Sequence, residues 1–286
     1  MLFTQARKNL RKENRAVSPA ISTVIMTAAL VVLVLVATSY ANNILTFQLA
    51  LDEFSSNKQF MQSTGLQTDD VAWTIGRTET VQFTPKYGQI TFVPNVLNYT
   101  FEIYNGSSWQ TVYNSTTGMI LFNMPVNDYS LGNNYFSRMM PANNGSFLQW
   151  NASAPVSQVF ATQEVPMKDG SYARIVAVPT VRVLNSTLIT GGNYYKFYLP
   201  SLVSGSNPHL SQSLTLTGSS LTKVTPSTSI TQVRINATAL ATPSTPPGFN
   251  SAFFNFDHTT ETLSVPSESL VEFYSGTVSV SIGMVG

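Results

Sequence analysis

Apolar positions follow two different rules along this chain. Between Ala20 and Ala37 they run almost without interruption, as Ala20-Ile-Ser-Thr-Val-Ile-Met-Thr-Ala-Ala-Leu-Val-Val-Leu-Val-Leu-Val-Ala37. Eighteen residues exceed ordinary strand length, and no Gly or Pro occurs between Pro19 and Gly65, so the run predicts a helix rather than a buried strand. At 1.5 Å rise per residue, a helix of about 20 residues matches the roughly 30 Å hydrocarbon core of a bilayer. Further on the spacing changes. Ile44, Phe47, Leu51, Phe54 and Met61 recur at intervals of three, four and seven, one stripe of an amphipathic helix, with Asp52, Glu53 and Lys58 mostly off it. The pattern predicts one helix from about Pro19 to the mid-fifties, apolar all round at first and then docked on a folded domain. Pro19 suits a first helical turn and Ser18 an N-cap before it. The competing reading breaks the run at Asn42-Asn43 into an anchor and a separate small helix.

From Gly65 onward the period shortens to that of strands. Residues 71–75, 80–84, 89–93, 99–104, 109–113, 119–122, 173–178, 181–184, 196–199, 230–235, 270–274 and 277–282 are short runs rich in β-branched and aromatic side chains. Turn residues punctuate them, at Pro85, Asn105-Gly106, Gly191-Gly192 and Ser275-Gly276, and Asn105-Gly106 between two β runs is a hairpin signal. Residues 201–228 and 241–249 read as looser segments, and 123–157 carry no clear period. The fold class expected is α+β, a long N-terminal hydrophobic helix over residues 17–60 followed by an antiparallel β-sandwich-like domain over 61–286. A division of that domain near 165–172 into two β subdomains is the alternative to a single one.

Charge then fixes the topology. Only 10% of the 286 residues are charged, against roughly 25% in ordinary soluble chains. Arg7, Lys8, Arg11, Lys12 and Arg15 against Glu13 give the first fifteen residues a local +4, and the net +1 of the whole chain leaves −3 for the rest. The folded part therefore offers no basic face for phosphate contacts, and no nucleic acid is expected as a partner. Residues 16–51 hold no charge at all, and Asp52 and Glu53 are the first charges beyond them. The positive-inside rule places residues 1–15 in the cytoplasm and everything after about residue 40 outside.

Three kinds of N-terminal segment share this basic-then-apolar pattern. A cleaved secretory signal would use a small-x-small site such as Ser39-Tyr40-Ala41, although the apolar run is long for one. An uncleaved anchor is the second kind. The third is cut on the cytoplasmic side, so the apolar helix stays on the mature protein. The stretch Arg15-Ala16-Val17-Ser18-Pro19-Ala20-Ile21-Ser22-Thr23-Val24-Ile25 resembles the N-terminus of archaeal type IV pilins, in which a short basic leader ends in a small residue ahead of a Ser-Pro-containing apolar helix. The resemblance covers about residues 11–43. It implies a basic leader, 1–16, removed by a membrane-embedded prepilin peptidase at Arg15, Ala16 and Val17, with the cut between Ala16 and Val17 leaving 270 mature residues. Bacterial type IV pilins carry a Glu at the fifth mature position, where this chain has Ile21, a departure that points to the archaeal branch. The implied product is a cell-surface filament, a helical homopolymer drawn from the membrane by pilus assembly machinery. Its bundle would be lined by Pro19, Ile21, Ile25, Ala28, Val32, Leu35, Tyr40, Ile44 and Phe47. Small residues such as Ala20, Ser22, Thr27, Ala28 and Ala29 allow close helix approach. A membrane-anchored β receptor or minor tip adhesin using the same anchor is the alternative.

Candidate chemistry adds little. The absence of Cys removes thiol catalysis, thiolate metal sites and disulfides. His209 and His258 are the only histidines and stand in no metal-ligand spacing, and no GxSxG, Walker A or Rossmann glycine pattern occurs. Asp69-Asp70 reads as a solvated acidic turn in preference to a weak cation site. No enzyme activity, cofactor or metal is expected. Asn98, Asn105, Asn114, Asn144, Asn151, Asn185 and Asn236 open Asn-x-Ser/Thr triplets, candidate N-glycan acceptors. A composition this rich in Asn, Ser and Thr produces such triplets by chance, so their support comes from the predicted outside location.

Overall fold

A computed structural model describes residues 3–83, 85–142, 144–150, 153–165, 169–189, 191–205, 213–227, 229–240 and 249–283, with side chains from residue 21 onward. It has the expected class, a long N-terminal apolar helix followed by a mostly antiparallel β domain. The chain divides into two compact units, Met1–Leu49 and Ala50–Gly286.

Helix α1 runs Phe3–Ala72, longer at both ends than the expected 17–60. Because it starts at Phe3, Ser18 is not its N-cap and Pro19 lies in its interior, where the missing N–H leaves one carbonyl without its helical partner. Asn42-Asn43 lies within α1 and does not break it. At the other end, Val71 and Ala72, expected to start a strand, close the last helical turn with both side chains buried. A short apolar β-branched run fits a buried helix end as well as a strand, and here packing decides.

After α1 come β1 (Thr78–Gln82), β2 (Gln89–Tyr104), β3 (Trp109–Pro125), β4 (Tyr135–Met140), β5 (Leu148–Gln149), β6 (Ser157–Gln163) and β7 (Tyr172–Pro179). Then follow β8 (Val181–Thr187), β9 (Asn193–Ser204), β10 (Ser213–Val224), β11 (Gln232–Ala239), the one-turn helix α2 (Ser251–Phe254), β12 (Thr260–Ser264) and β13 (Leu270–Ile282). Sheet A has the order β1-β10-β13-β9-β8-β5 and sheet B the order β12-β11-β2-β3-β7-β6-β4. Pairing is antiparallel except for β9 with β13 and the two-residue contact of β5 with β8. Each sheet contains strands from both halves of the chain. β6 and β7, on either side of 165–172, are direct neighbours, so no domain boundary falls there.

Several expected strands merge. Residues 89–104 form one strand, as do 109–125 and 270–282, and Ser275-Gly276 is strand interior rather than a turn. The Asn105-Gly106 hairpin forms as expected. Gly106 takes φ +92°, and the Asn105 carboxamide oxygen accepts from the backbone N–H groups of Ser107 and Ser108. The segment 201–228 holds the end of β9 and all of β10.

Two apolar clusters hold the domain. The first lies between the inner sheet faces, around Tyr99, Phe101, Phe160, Phe197 and Phe273, with ring centroids of Phe197 and Phe273 5.0 Å apart. The second is built on the last turns of α1. Ala50, Phe54, Asn57, Met61, Thr64, Thr68 and Val71 are buried at alternating four- and three-residue spacing. The apolar ones among them cluster with Ile120, Phe122, Met124 and Ile175 from sheet B and Leu202, Leu214, Val278 and Val280 from sheet A. β3 thus packs on both faces, which explains why Met119–Phe122 reads as a continuous apolar run instead of alternating.

The end of α1 approaches sheet A so closely that only glycine fits beneath it. A Cβ at Gly276 would stand 2.2 Å from the Ala72 carbonyl oxygen, and one at Gly218 2.5 Å from the carbonyl oxygens of Val71 and Thr74. The obstructing atoms are backbone and cannot rotate away. Glu53 secures the same helix from its side, accepting from the backbone N–H groups of Lys86, Tyr87 and Gly88 at 2.9–3.2 Å. We expect Gly276→Ala to lower stability by about 1–3 kcal/mol, the usual range for overpacking. Gly192→Ala, where the nearest atoms lie 3.7 Å away, serves as the near-neutral control. Thermal unfolding of the full chain in detergent checks the pair.

Candidate functional site

The candidate site is the surface of α1 between Ile21 and Leu49. Every residue in this stretch is exposed, and its sixteen large hydrophobic side chains keep between 40% and 68% of their area open. The proposed bundle residues Ile21, Ile25, Ala28, Val32, Leu35, Tyr40, Ile44 and Phe47 are all among the exposed ones. Pro19 lies in α1, as do Arg15, Ala16 and Val17, but their side chains are outside the described residues. The most apolar window has a mean hydropathy of 2.5 and none of it is buried, so the segment is long and apolar enough to cross a membrane.

Magnitudes show what this surface demands. Burying a large aliphatic side chain is worth about 1.5–3 kcal/mol, so sixteen partly exposed ones represent on the order of 20 kcal/mol. That exceeds the 5–15 kcal/mol that stabilises a whole domain, so leaving this surface in water is costly on the scale of folding itself. Two polar groups within it are already neutralised. The Thr27 hydroxyl donates to the Thr23 carbonyl and that of Thr38 to the Val34 carbonyl, each at 2.8 Å, so both can enter an apolar medium without an unmade hydrogen bond.

Beyond Leu49 the polar side chains act on the fold. Asp69 and Asp70 lie in α1 and are not the solvated turn expected, because Asp69 is engaged by neighbouring side chains. It accepts from Trp73 Nε1 at 2.6 Å and from Arg182 Nη1 at 2.7 Å, while Asp70 faces Arg77 at 3.7 Å. His258 is exposed, His209 falls outside the described residues, and among the described residues no group of His, Asp and Glu could hold a metal.

Two carboxylates stand out. Glu102 accepts from Arg234 Nε at 2.6 Å and Asn236 Nδ2 at 2.8 Å, and the Arg234 hydrogen bond holds its carboxyl below the ordinary range. The Arg234 guanidinium in turn lies 4.1 Å over the Trp109 ring. Glu272, on β13, is only 5% exposed. Burial opposes its ionisation, but hydrogen bonds from Lys223 Nζ at 2.6 Å, from the Tyr194 hydroxyl and from the Tyr274 hydroxyl outweigh that penalty. Its carboxyl is brought down from 4.5 to about 2. Tyr274 stacks on Tyr198, which also meets the Trp73 edge and the Arg182 guanidinium. The cluster Asp69, Arg182, Trp73, Tyr198, Tyr274, Glu272 and Lys223 joins the end of α1 to β8, β9, β10 and β13, and sequence spacing gave no sign of it.

The sequons differ in what their carboxamides already do. Asn98 Nδ2 donates to the Thr100 hydroxyl, Asn144 Nδ2 to Gln149, and Asn236 Nδ2 to Glu102. Asn114 and Asn185 are exposed strand residues, Asn105 is half-buried at the hairpin with its oxygen engaged, and Asn151 is outside the described residues.

No family model, no curated protein and no solved structure matches the chain.

The acid response of the domain follows from Glu272. A carboxyl with a depressed folded-state pKa contributes stability that is complete above its unfolded value, 4.5, and is lost as pH falls towards about 2. The shift corresponds to about 3 kcal/mol. We expect Glu272→Gln to cost stability at neutral pH, and the gap from the parent chain to close as pH falls from 4.5 to 2. Melting curves across that range measure it.

Proposed function

We propose that the chain is the structural subunit of an archaeal type IV pilus-like surface filament. The single observation that carries this reading is the helical stretch Ile21–Leu49, uncharged and exposed along its whole length. A surface of this kind has two compatible environments, lipid and a bundle of its own copies, and absence of charge is what admits both. The leader-like segment before it supports the same reading. In this account a prepilin peptidase cuts between Ala16 and Val17, and the membrane holds the subunit until assembly machinery draws it out. Van der Waals packing between copies then replaces lipid contacts, with Pro19, Ile21, Ile25, Ala28, Val32, Leu35, Tyr40, Ile44 and Phe47 lining the bundle.

The β domain faces the outside for adhesion or surface contact and carries glycans on its accessible sequons. Hydrated sugar compensates for a surface with few charges. The chain performs no catalysis in this reading and needs no cofactor. Use of the same anchor by a receptor or a minor tip adhesin is an outcome the stoichiometry of sheared filaments distinguishes, because a bulk subunit dominates their mass.

Two results are expected. N-terminal sequencing of filaments sheared from cells begins at Val17, whereas a start at Met1 or Asn42 contradicts the processing step. Val32→Asp places an unpaired charge mid-helix, a cost of several kcal/mol in either apolar environment, and abolishes filaments on electron micrographs. Normal filaments from that variant contradict the bundle.

A further inference from the structure

The ends of a β-sheet expose unpaired N–H and C=O groups, and proteins blunt such edges with charge, shortness or cover. Sheet B ends at β12 and β4, and sheet A at β1 and β5. Each of the three longer edge strands carries a charged side chain. β1 has Glu79, paired with Arg77 at 3.0 Å, β12 has Glu261, and β4 has Arg138 beside Asp257. β5 is two residues long and covers only Val181 and Arg182 of β8. Among the described residues no strand pairs with the same side of Val183–Thr187, which bonds to β9 on its other side alone.

That open stretch, Val183-Leu184-Asn185-Ser186-Thr187, has β-branched and apolar members and no charge. Leu188 and the fully exposed Ile189 follow it. It is the kind of edge that templates pairing with a second copy. It also contains a sequon, Asn185-Ser186-Thr187, whose three residues are all exposed. Unlike those of Asn98, Asn144 and Asn236, the Asn185 carboxamide makes no hydrogen bond among the described residues.

We propose that Asn185 is an N-glycosylation site and that its glycan guards the open edge of β8, taking the place that charged side chains hold on β1, β4 and β12. The inference rests on the reading that the β domain lies outside the cell. The donor is a lipid-linked oligosaccharide phosphate. The Asn185 carboxamide nitrogen attacks C1 of the first sugar, the new C–N bond replaces the C–O bond to phosphate, and the proton lost from nitrogen leaves with the lipid phosphate. The bulky, hydrated product stands beside the unpaired backbone groups and keeps a second strand from docking.

Tryptic digestion of the full chain from producing cells yields Val183–Lys196, which contains one sequon. Mass spectrometry is expected to find that peptide carrying sugar. Sugar on Asn105 or Asn114 with a bare Asn185 overturns the inference while leaving the outside placement standing, and bare asparagines throughout overturn both the inference and the glycan part of that reading. For the guarding role, Asn185→Gln and Thr187→Ala each remove the sequon. Both are expected to raise the aggregated fraction of detergent-solubilised chain several-fold by size-exclusion chromatography, with an unchanged melting temperature. Asn185→Lys also lacks the glycan but restores an edge charge, and is expected to return to the parent level. Unaltered aggregation in the first two variants, or aggregation of Asn185→Lys equal to that of Asn185→Gln, overturns the role.

Discussion

Between Ile21 and Leu49 the chain presents a helical surface that nothing among its own described residues covers. On the order of 20 kcal/mol of apolar burial is left unrealised there, more than a domain's entire margin of stability. Every functional reading must supply a cover. In the proposed reading lipid supplies one and sister helices another, and the threonines that bond back onto their own helix suit exchange between the two. The absence of charge from residue 16 to residue 51 is the condition for that exchange.

The last turns of α1 obey the opposite rule. From Ala50 to Ala72 one face of the helix is covered, and that buried stripe is partly polar. Asn57, Thr64 and Thr68 lie on the core face, each donating to a carbonyl of the preceding turn at 2.9 Å. Such residues pack as small, internally satisfied side chains, which lets the helix come near the sheets. Gly218 and Gly276 complete the approach from sheet A, and Glu53 with its three backbone donors holds the helix flank.

These features mark the boundary of what the sequence discloses. The apolar run and the class of the β domain were legible because hydropathy and a period of two are strong, local signals. The Asn105-Gly106 hairpin was legible because positive φ at Gly106 leaves few residue choices. The extension of the helix to Ala72 was not, since Asn57, Thr64 and Thr68 disguise the stripe as a polar surface. Gly276 read as a turn because a glycine needed for close approach looks the same in sequence as one needed for a bend. The parallel pairing of β9 with β13 and the Glu272 cluster join residues far apart in the chain, and no local pattern encodes such contacts. The triplets opened by the seven asparagines are alike in sequence, and among the described ones the carboxamide hydrogen bonds of Asn98, Asn105, Asn144 and Asn236 set them apart from the exposed Asn114 and Asn185.

The central claim concerns what covers Ile21–Leu49, and helical reconstruction of filaments purified from producing cells tests it most directly. The account predicts a core of tightly packed helices in which Val32 and its neighbours meet other copies, with the β domains forming the outer coat. Filaments whose axis lacks that helix, or a protein recovered only as dispersed chains without it, would contradict the account.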